Sequence, residues 1–375
     1  SFTCYHNCCS SCNGVTIMNK SYDVVVIGAG HAGIEAALAS ARLNNKTLLI
    51  CGNFSKVGNM PCNPSIGGPA KGILVREIDA LGGEMGRAAD KTALQFKMLN
   101  LSKGPAVQAL RVQSDKPAYS LYMQEVIKKT DNLDVYEGFV DELVTDNGIV
   151  KAVILENQTC FETKKAIIAT GTFLSSRILR GKNYYPAGPD GESTNYGLSK
   201  SLLKHGFKLL RLKTGTPARI KTSSIDFTKS RLEPGTNLKA YFSEDTVDED
   251  VLPFEQQVPC YLTYTTPETH QIIMENLEKS SMYGGHVEGT GPRYCPSIED
   301  KVVRFKDKER HQLFLEPESK YYDDIYIQGF STSMPHDIQE QMVHSIEGLE
   351  NAKILKYAYA IEYDAIYPTQ LKQSL

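Results

Sequence analysis

The chain has no long apolar run. Nowhere does it approach the roughly 20 consecutive apolar residues that a bilayer-spanning helix needs, so no membrane span is expected. Nor is there a surplus of one charge: 41 Lys and Arg stand against 44 Asp and Glu, a formal net charge of −3. No overall basic field announces nucleic acid, although a local patch would suffice. G-x-S-x-G, H-E-x-x-H and Walker sequences are absent, as are repeats and low-complexity tracts. The histidines have no spacing that suggests a metal. The nine cysteines do not form a disulfide framework either. Cys4, Cys8, Cys9 and Cys12 crowd the start and five are scattered singly, a usage that suggests a reducing cytoplasm. The crowded four, with His6, have the spacing of a metal knuckle, but no apolar framework or second ligand pair accompanies them, so no metal is expected.

What remains is ordinary globular material, 41% hydrophobic and 23% charged, and 375 residues suffice for two or more domains. Ser1–Asn19 reads as a leader, non-native or disordered, with Met18 as a natural start. Tyr22–Ile27 is a short apolar run suited to a strand buried on both faces. The turn Gly28-Ala29-Gly30-His31-Ala32-Gly33 follows, then an alanine- and leucine-rich helix over Ile34–Leu43 and a second strand at Thr47–Ile50. This is a dinucleotide-binding start. Gly28 permits the tight turn, Gly30 lets backbone approach a pyrophosphate, and Gly33 allows close packing; the pyrophosphate would sit on the helix N-terminus. The carboxylate that usually ends the second strand is missing: Ile50-Cys51-Gly52-Asn53 stands there, so Asn53 or main-chain groups would meet the ribose. Glu35 lies inside the helix and reads as structural. Two readings of His31 stand, facing the cofactor or capping the helix. Ala169-Thr170-Gly171, after an apolar strand, resembles the second short motif of two-dinucleotide flavoproteins. Val140 would then approach the adenine through its backbone.

Further along, helices are expected at Lys71–Leu81, Pro117–Lys129, Leu198–His205, Thr269–Lys279 and Asp337–Ile346. Strands are expected at Leu133–Glu137, in a meander of Phe139–Val144, Val150–Leu155 and Cys160–Thr163, at Lys165–Ala169, and near Gln312–Leu315 and Ile325–Gln328. Two runs resist either reading because Gly and Pro punctuate them. Each holds a cysteine near a cation: Pro61–Gly72 around Cys62, with Lys71, and Gly291–Lys301 around Cys295, with Arg293, Lys301 and Arg304. Such loops usually hold a ligand or a reacting group. Cys62 reads either as a small buried hydrophobe or as a thiolate supported by loop amides and Lys71. The thiolate would act as a nucleophile, for example toward C6 of a pyrimidine, as a base, or as a redox partner of a flavin. Cys160 and Cys260 lie in strand-like contexts and read as inert.

Several of these stretches together resemble one family. They are GAGHAG at Gly28–Gly33, the Cys62-Asn63-Pro64 to Lys71-Gly72 loop, Ser102–Val107, Leu212-Lys213-Thr214-Gly215-Thr216-Pro217, Gln257–Tyr261, GPRYCPSIEDKVVRF at Gly291–Phe305, and Ala358–Asp364. The chain over residues 20–375 resembles the tRNA uridine-5-carboxymethylaminomethyl modification enzymes, the GidA/MnmG family. The resemblance implies an α/β fold: a Rossmann-like FAD-binding domain with an inserted second α/β, nicotinamide-associated lobe. The divisions would be 1–19 leader, 20–200 first part of the FAD domain, 201–305 inserted lobe, and 306–375 an incomplete return toward the FAD domain. It implies a cytoplasmic homodimer that uses FAD and NADH and acts on C5 of the tRNA wobble uridine with a GTPase partner of the MnmE/TrmE family. Methylene-tetrahydrofolate would give the one-carbon unit, and glycine or ammonium the nitrogen.

By the same resemblance Gly28, Ala29, Gly30, His31, Ala32 and Gly33 bind FAD phosphates, and Val140 and Asn195 approach FAD. The segment Gly291-Pro292-Arg293-Tyr294-Cys295-Pro296-Ser297-Ile298-Glu299-Asp300-Lys301-Val302-Val303-Arg304-Phe305 is nicotinamide-associated. Cys62 and Cys295 are the two functional cysteines. The family's sequence continues beyond the point where this chain stops, Leu375, with a glycine-rich flavin segment and a helical tail. Alternatives are a folate- and FAD-dependent tRNA methyltransferase and an inactive nucleotide-binding fragment.

Overall fold

The computed structural model describes residues 16–291 and 296–373. A six-stranded sheet runs in the order Leu133–Glu137, Thr47–Cys51, Thr16–Ile27, Thr159–Ile168, Ile149–Leu155, Val140–Asp146. The first four strands are parallel and the last three form an antiparallel meander. The pleat sends alternate side chains to opposite faces. Val26 and Leu49 pack on one face with Ile34 and Leu38 of the helix His31–Arg42. Val25, Ile27, Leu48 and Ile50 pack on the other with Val140, Val153, Leu198 and Leu202. Burial on both faces is why these strands are nearly continuous apolar runs in sequence.

Several expectations change. Cys160–Thr163 and Lys165–Ala169 are one strand, Thr159–Ile168, which lies beside Thr16–Ile27 along its length and pairs with Ile149–Leu155 only through its first half. Lys164, between the two expected segments, is on an exposed position and pairs with Asp23 at 2.7 Å. The first strand begins at Thr16, so the backbone of Thr16 and Ile17 pairs with Thr159 and Cys160 inside the segment read as a leader. Between residues 60 and 115 the structure has a helix, Met85–Lys91, and a three-stranded sheet of Ser65–Gly67, Ala109–Ser114 and Ala93–Leu99. None of these was expected. Glu35 has the structural part foreseen for it: its carboxylate accepts from the backbone N–H groups of Glu84 and Met85 at the start of that helix.

A second six-stranded sheet, antiparallel, has the order Arg231–Glu233, Cys260–Tyr264, Gln312–Pro317, Asp324–Gln328, Arg219–Lys221, Ile354–Lys356. Ile273, Ile298 and Met342, from the helices Pro267–Glu275, Ile298–Arg304 and His336–His344, close its core with Leu313, Leu315 and Ile327. This sheet crosses residue 305, since Cys260–Tyr264 pairs with Gln312–Pro317. The helix Ile298–Arg304 lies in a run that its Gly and Pro made read as loop. Ser297 and Asp300 start it with a reciprocal capping box. The two sheets are linked by Leu209–Thr216 and Tyr359–Ile366, paired antiparallel in a four-stranded sheet with Arg177–Arg180 and Asn183–Pro186. Among the described residues no helix is long and apolar enough to cross a membrane.

Candidate functional site

The turn after the first strand opens onto a cleft with about 930 Å³ of empty space, part of it open to solvent. Gly28, Ala29 and Gly30 form one wall; Val140, Thr170, Gly171 and Asn195 line it too. Each glycine has a distinct physical reason. Gly28 has φ +104°, and a Cβ there would overlap the Ala169 carbonyl. A Cβ at Gly33 would overlap the Gly28 carbonyl, so Gly33 is what lets helix and turn touch. At Gly30 a Cβ would meet nothing within 4 Å, because the missing side chain faces the open cleft. The cradle therefore fits a group that needs backbone contact, as the pyrophosphate of FAD does.

His31 begins the helix without capping it: the cap residue is Gly30 and no side chain caps. Its ring stands edge-on to Tyr119, with centroids 5.7 Å apart and Nδ1 3.4 Å from the phenol oxygen. Burial first, then the charge of Lys71, push its pKa down to about 4. The unfolded chain, with a value near 6.5, therefore takes up this proton first. Stability should fall as pH drops through the window from about 6.5 to about 4, by about 3 kcal/mol. Denaturant midpoints of wild type and His31→Gln across that window check this; a wild-type slope identical to that of the variant refutes it.

Asn195 lines the cleft, but its polar atoms are engaged: Nδ2 donates to Glu156 at 2.6 Å and Oδ1 accepts from the Leu198 N–H at 2.9 Å. Asn53 also lines the cleft, and its Oδ1 accepts from Ser55 N–H and Oγ. Its carbonyl oxygen is thus occupied, leaving only its amide N–H groups to offer. Gly52 is required for another reason: a Cβ there would overlap the ring of Phe139, which also lines the cleft.

Cys62 lies at the edge of this cleft, one residue past Pro61, which lines it. The half-buried thiol is 3.3 Å from the hydroxyl of the buried Tyr326 and 3.5 Å from the Gly215 carbonyl. Asn63 donates to Gln328 at 2.8 Å, so the loop is docked on the second sheet. Arg219, 2% exposed, holds that docking. Its guanidinium donates to the carbonyls of Pro61 and Cys62 and to Glu318, and lies 4.9 Å from the centre of the Tyr326 ring. Lys71 donates to the Ser65 carbonyl at 2.8 Å; burial lowers its pKa, while its coupling to Cys62 opposes that. Arg219, Tyr326 and Gln328 were not singled out in the sequence, since nothing local marks a strand residue as the dock of a distant loop.

Gly215 leads to a second cavity, with about 1370 Å³ of empty space open to solvent. Gly291, Pro296, Ser297, Asp300 and Arg304 line it, together with Lys213, Thr214 and Tyr359. Cys62 thus has a neighbour on each cavity: Pro61, next to it in the chain, lines the cleft, and Gly215, whose carbonyl its thiol contacts, lines the second cavity. The sequence profile of the family described as Glucose inhibited division protein A matches residues 23–375. The chain belongs to that family.

Relatives and solved structures agree with the family assignment. The tRNA uridine 5-carboxymethylaminomethyl modification enzyme MnmG of Mycoplasma capricolum is 57% identical over 359 residues, covering 96% of this chain and 57% of that protein. The MnmG of Ureaplasma parvum is 57% identical over 95% of this chain and 58% of its own length. A crystal structure of Aquifex aeolicus GidA superposes with a TM-score of 0.89 at 47% identity, covering 96% of this chain and 58% of that one. The chain therefore spans a little over half the length of these relatives. Its fold is the α/β, Rossmann-like type expected.

Of the family segment Gly291–Phe305, residues Pro292, Arg293, Tyr294 and Cys295 lie outside the described residues, so the reading of Cys295 is not placed here. The same is true of Cys4, Cys8, Cys9 and Cys12. The rest of the segment divides by helix face. Ser297, Asp300 and Arg304 border the second cavity, while Ile298, Glu299 and Val302 are buried. Glu299 accepts from Thr332 at 2.6 Å, and burial pushes its carboxyl up. Lys301 donates to the Gly329 carbonyl at 2.9 Å; Val303 is half-buried and Phe305 is exposed. Among the described residues no group of three or more His, Cys, Asp or Glu side chains is arranged to hold a metal.

Proposed function

We propose that the chain carries the catalytic core of an FAD- and NADH-dependent enzyme that modifies C5 of the tRNA wobble uridine together with a GTPase partner. The observation that carries this is the position of Cys62, next in the chain to Pro61 of the dinucleotide cleft and in contact with Gly215 of the second cavity. The glycine turn would hold the FAD pyrophosphate against backbone N–H groups at the helix N-terminus. Val140 and Asn195 would border the rest of the flavin. Bound FAD would supply hydride and electron exchange. Gly291 and Pro296–Phe305 would flank the nicotinamide, and Cys295 would be the second functional cysteine.

Cys62 would be the nucleophile. A thiolate adding to C6 of the uridine forms an S–C6 bond and pushes electron density onto C5. C5 then bonds the one-carbon unit, for which methylene-tetrahydrofolate is the donor the family suggests; one methylene C–N bond breaks with its electron pair going to the folate nitrogen, and the second is exchanged for the nitrogen of glycine or ammonium, which releases tetrahydrofolate. Loss of the C5 proton and cleavage of the S–C6 bond restore the ring and the thiolate. Tyr326 would orient the sulfur, and Arg219 would hold its loop in place. A homodimer and a cytoplasmic setting belong to the same reading.

The test is reconstitution with FAD, NADH, methylene-tetrahydrofolate, glycine, the GTPase and tRNA, reading the wobble uridine by mass spectrometry. Cys62→Ser is expected to keep its flavin absorbance and lose modification, by more than about 100-fold. Retained modification would remove Cys62 as nucleophile. Flavin binding without any modification by wild type would favour a nucleotide-binding fragment.

A further inference from the structure

The second cavity contains a cation with no ion-pair partner among the described residues. Lys213 lines it, yet among the described residues the acceptor of its ammonium is the Met282 thioether, at 2.9 Å. A thioether is a weak acceptor and neutralises no charge. The nearby carboxylates are engaged elsewhere. Glu362, which faces Lys213 across the strand pair, is fully buried; it accepts from the N–H groups of Glu288 and Gly289 and pairs with Arg177. Asp300 accepts from the Tyr283 hydroxyl and the Ser297 N–H. A half-buried ammonium left in this state costs desolvation free energy that an anion would offset. Hydroxyls of Thr214 and Ser331 share the wall, each able to donate to an anionic oxygen.

We propose that Lys213 anchors an anion subsite in this cavity, which holds a carboxylate or phosphate group of a small substrate. The subsite adjoins Gly215, whose carbonyl contacts the Cys62 thiol, so a molecule held by its anionic end would lie beside the reacting sulfur. The choice of candidate ligands rests on the function proposed above; the subsite itself rests on Lys213 and its surroundings.

Binding of NADH (phosphate) and of glycine (carboxylate) is measured by calorimetry for wild type, Lys213→Gln and Lys213→Arg, with uncharged nicotinamide as control. Acetylation of Lys213 is followed by mass spectrometry with and without each compound. One of the two anions is expected to shield Lys213. That anion should bind roughly tenfold or more weakly to Lys213→Gln and nearly normally to Lys213→Arg, with nicotinamide unaffected. Loss confined to NADH assigns a phosphate; loss confined to glycine assigns a carboxylate. Equal affinities in wild type and Lys213→Gln, or no shielding of Lys213 by either compound, overturn the proposal. Flavin absorbance of the same samples reports the dinucleotide cleft separately, so an absent flavin would refute the cofactor reading without touching the Lys213 result.

Discussion

Gly30→Val folds and does not bind flavin. At this position φ is −75°, an ordinary value for any residue, and a Cβ meets no protein atom within 4 Å. The substitution therefore costs the protein little, and its methyl groups enter the space that a pyrophosphate would occupy. Affinity for FAD should fall by roughly 100-fold or more, about 3 kcal/mol of overlap. Absorbance of the purified protein with added FAD reads this, and circular dichroism checks the fold. The neighbouring glycines provide the contrast. Gly28→Val forces a side chain onto φ +104° and into the Ala169 carbonyl, and Gly33→Val drives one into the Gly28 carbonyl. Both should fail to fold, where Gly30→Val should fold and stay colourless. A yellow Gly30→Val protein would mean that the cleft is not the flavin site.

Arg219→Met lowers stability by about 3–5 kcal/mol and frees the Cys62 loop. The guanidinium donates at 2.5 Å to Thr216, 3.0 Å to Pro217, 2.6 Å to Pro61, 3.3 Å to Cys62 and 3.2 Å to Glu318. Methionine fills a similar volume and replaces none of these bonds, so four buried or half-buried acceptors lose a donor and Glu318 is left with Lys116 alone as cation. Arg219→Lys rescues little, because an ammonium cannot span the acceptors of a planar fork. Denaturant midpoints measure the stability change. Iodoacetamide labelling of Cys62 measures the loop, and it should run severalfold faster in the variant. Unchanged labelling with a lowered midpoint would confine Arg219 to a stabilising part and remove it from the site.

The dinucleotide start was legible because its information is local. A strand buried on both faces, a turn that needs φ above zero at Gly28, and a helix packed through Gly33 all lie within one short stretch. The meander was legible for the same reason, except that its last strand runs on without a break to Ile168. The stretch from residue 60 to 115 was not, because its short strands are completed by partners chosen in three dimensions. Gln113 donates to the Pro317 carbonyl and Arg111 pairs with Glu316, each about two hundred positions away.

The amino-acid order alone was enough for the fold class, the glycine cradle and the suspicion that Cys62 reacts, since each depends on the backbone freedom or chemistry of residues adjacent in the chain. Folding supplied the surroundings. It put Cys62 beside Gly215 of the second cavity, gave its thiol Tyr326 and the Gly215 carbonyl as neighbours, turned His31 toward Tyr119, and left Lys213 on the wall of that cavity with Met282 as its acceptor. These contacts join residues 69 to 264 positions apart. No local periodicity encodes them, because they depend on how two sheets linked by one pair of crossing strands are packed against each other.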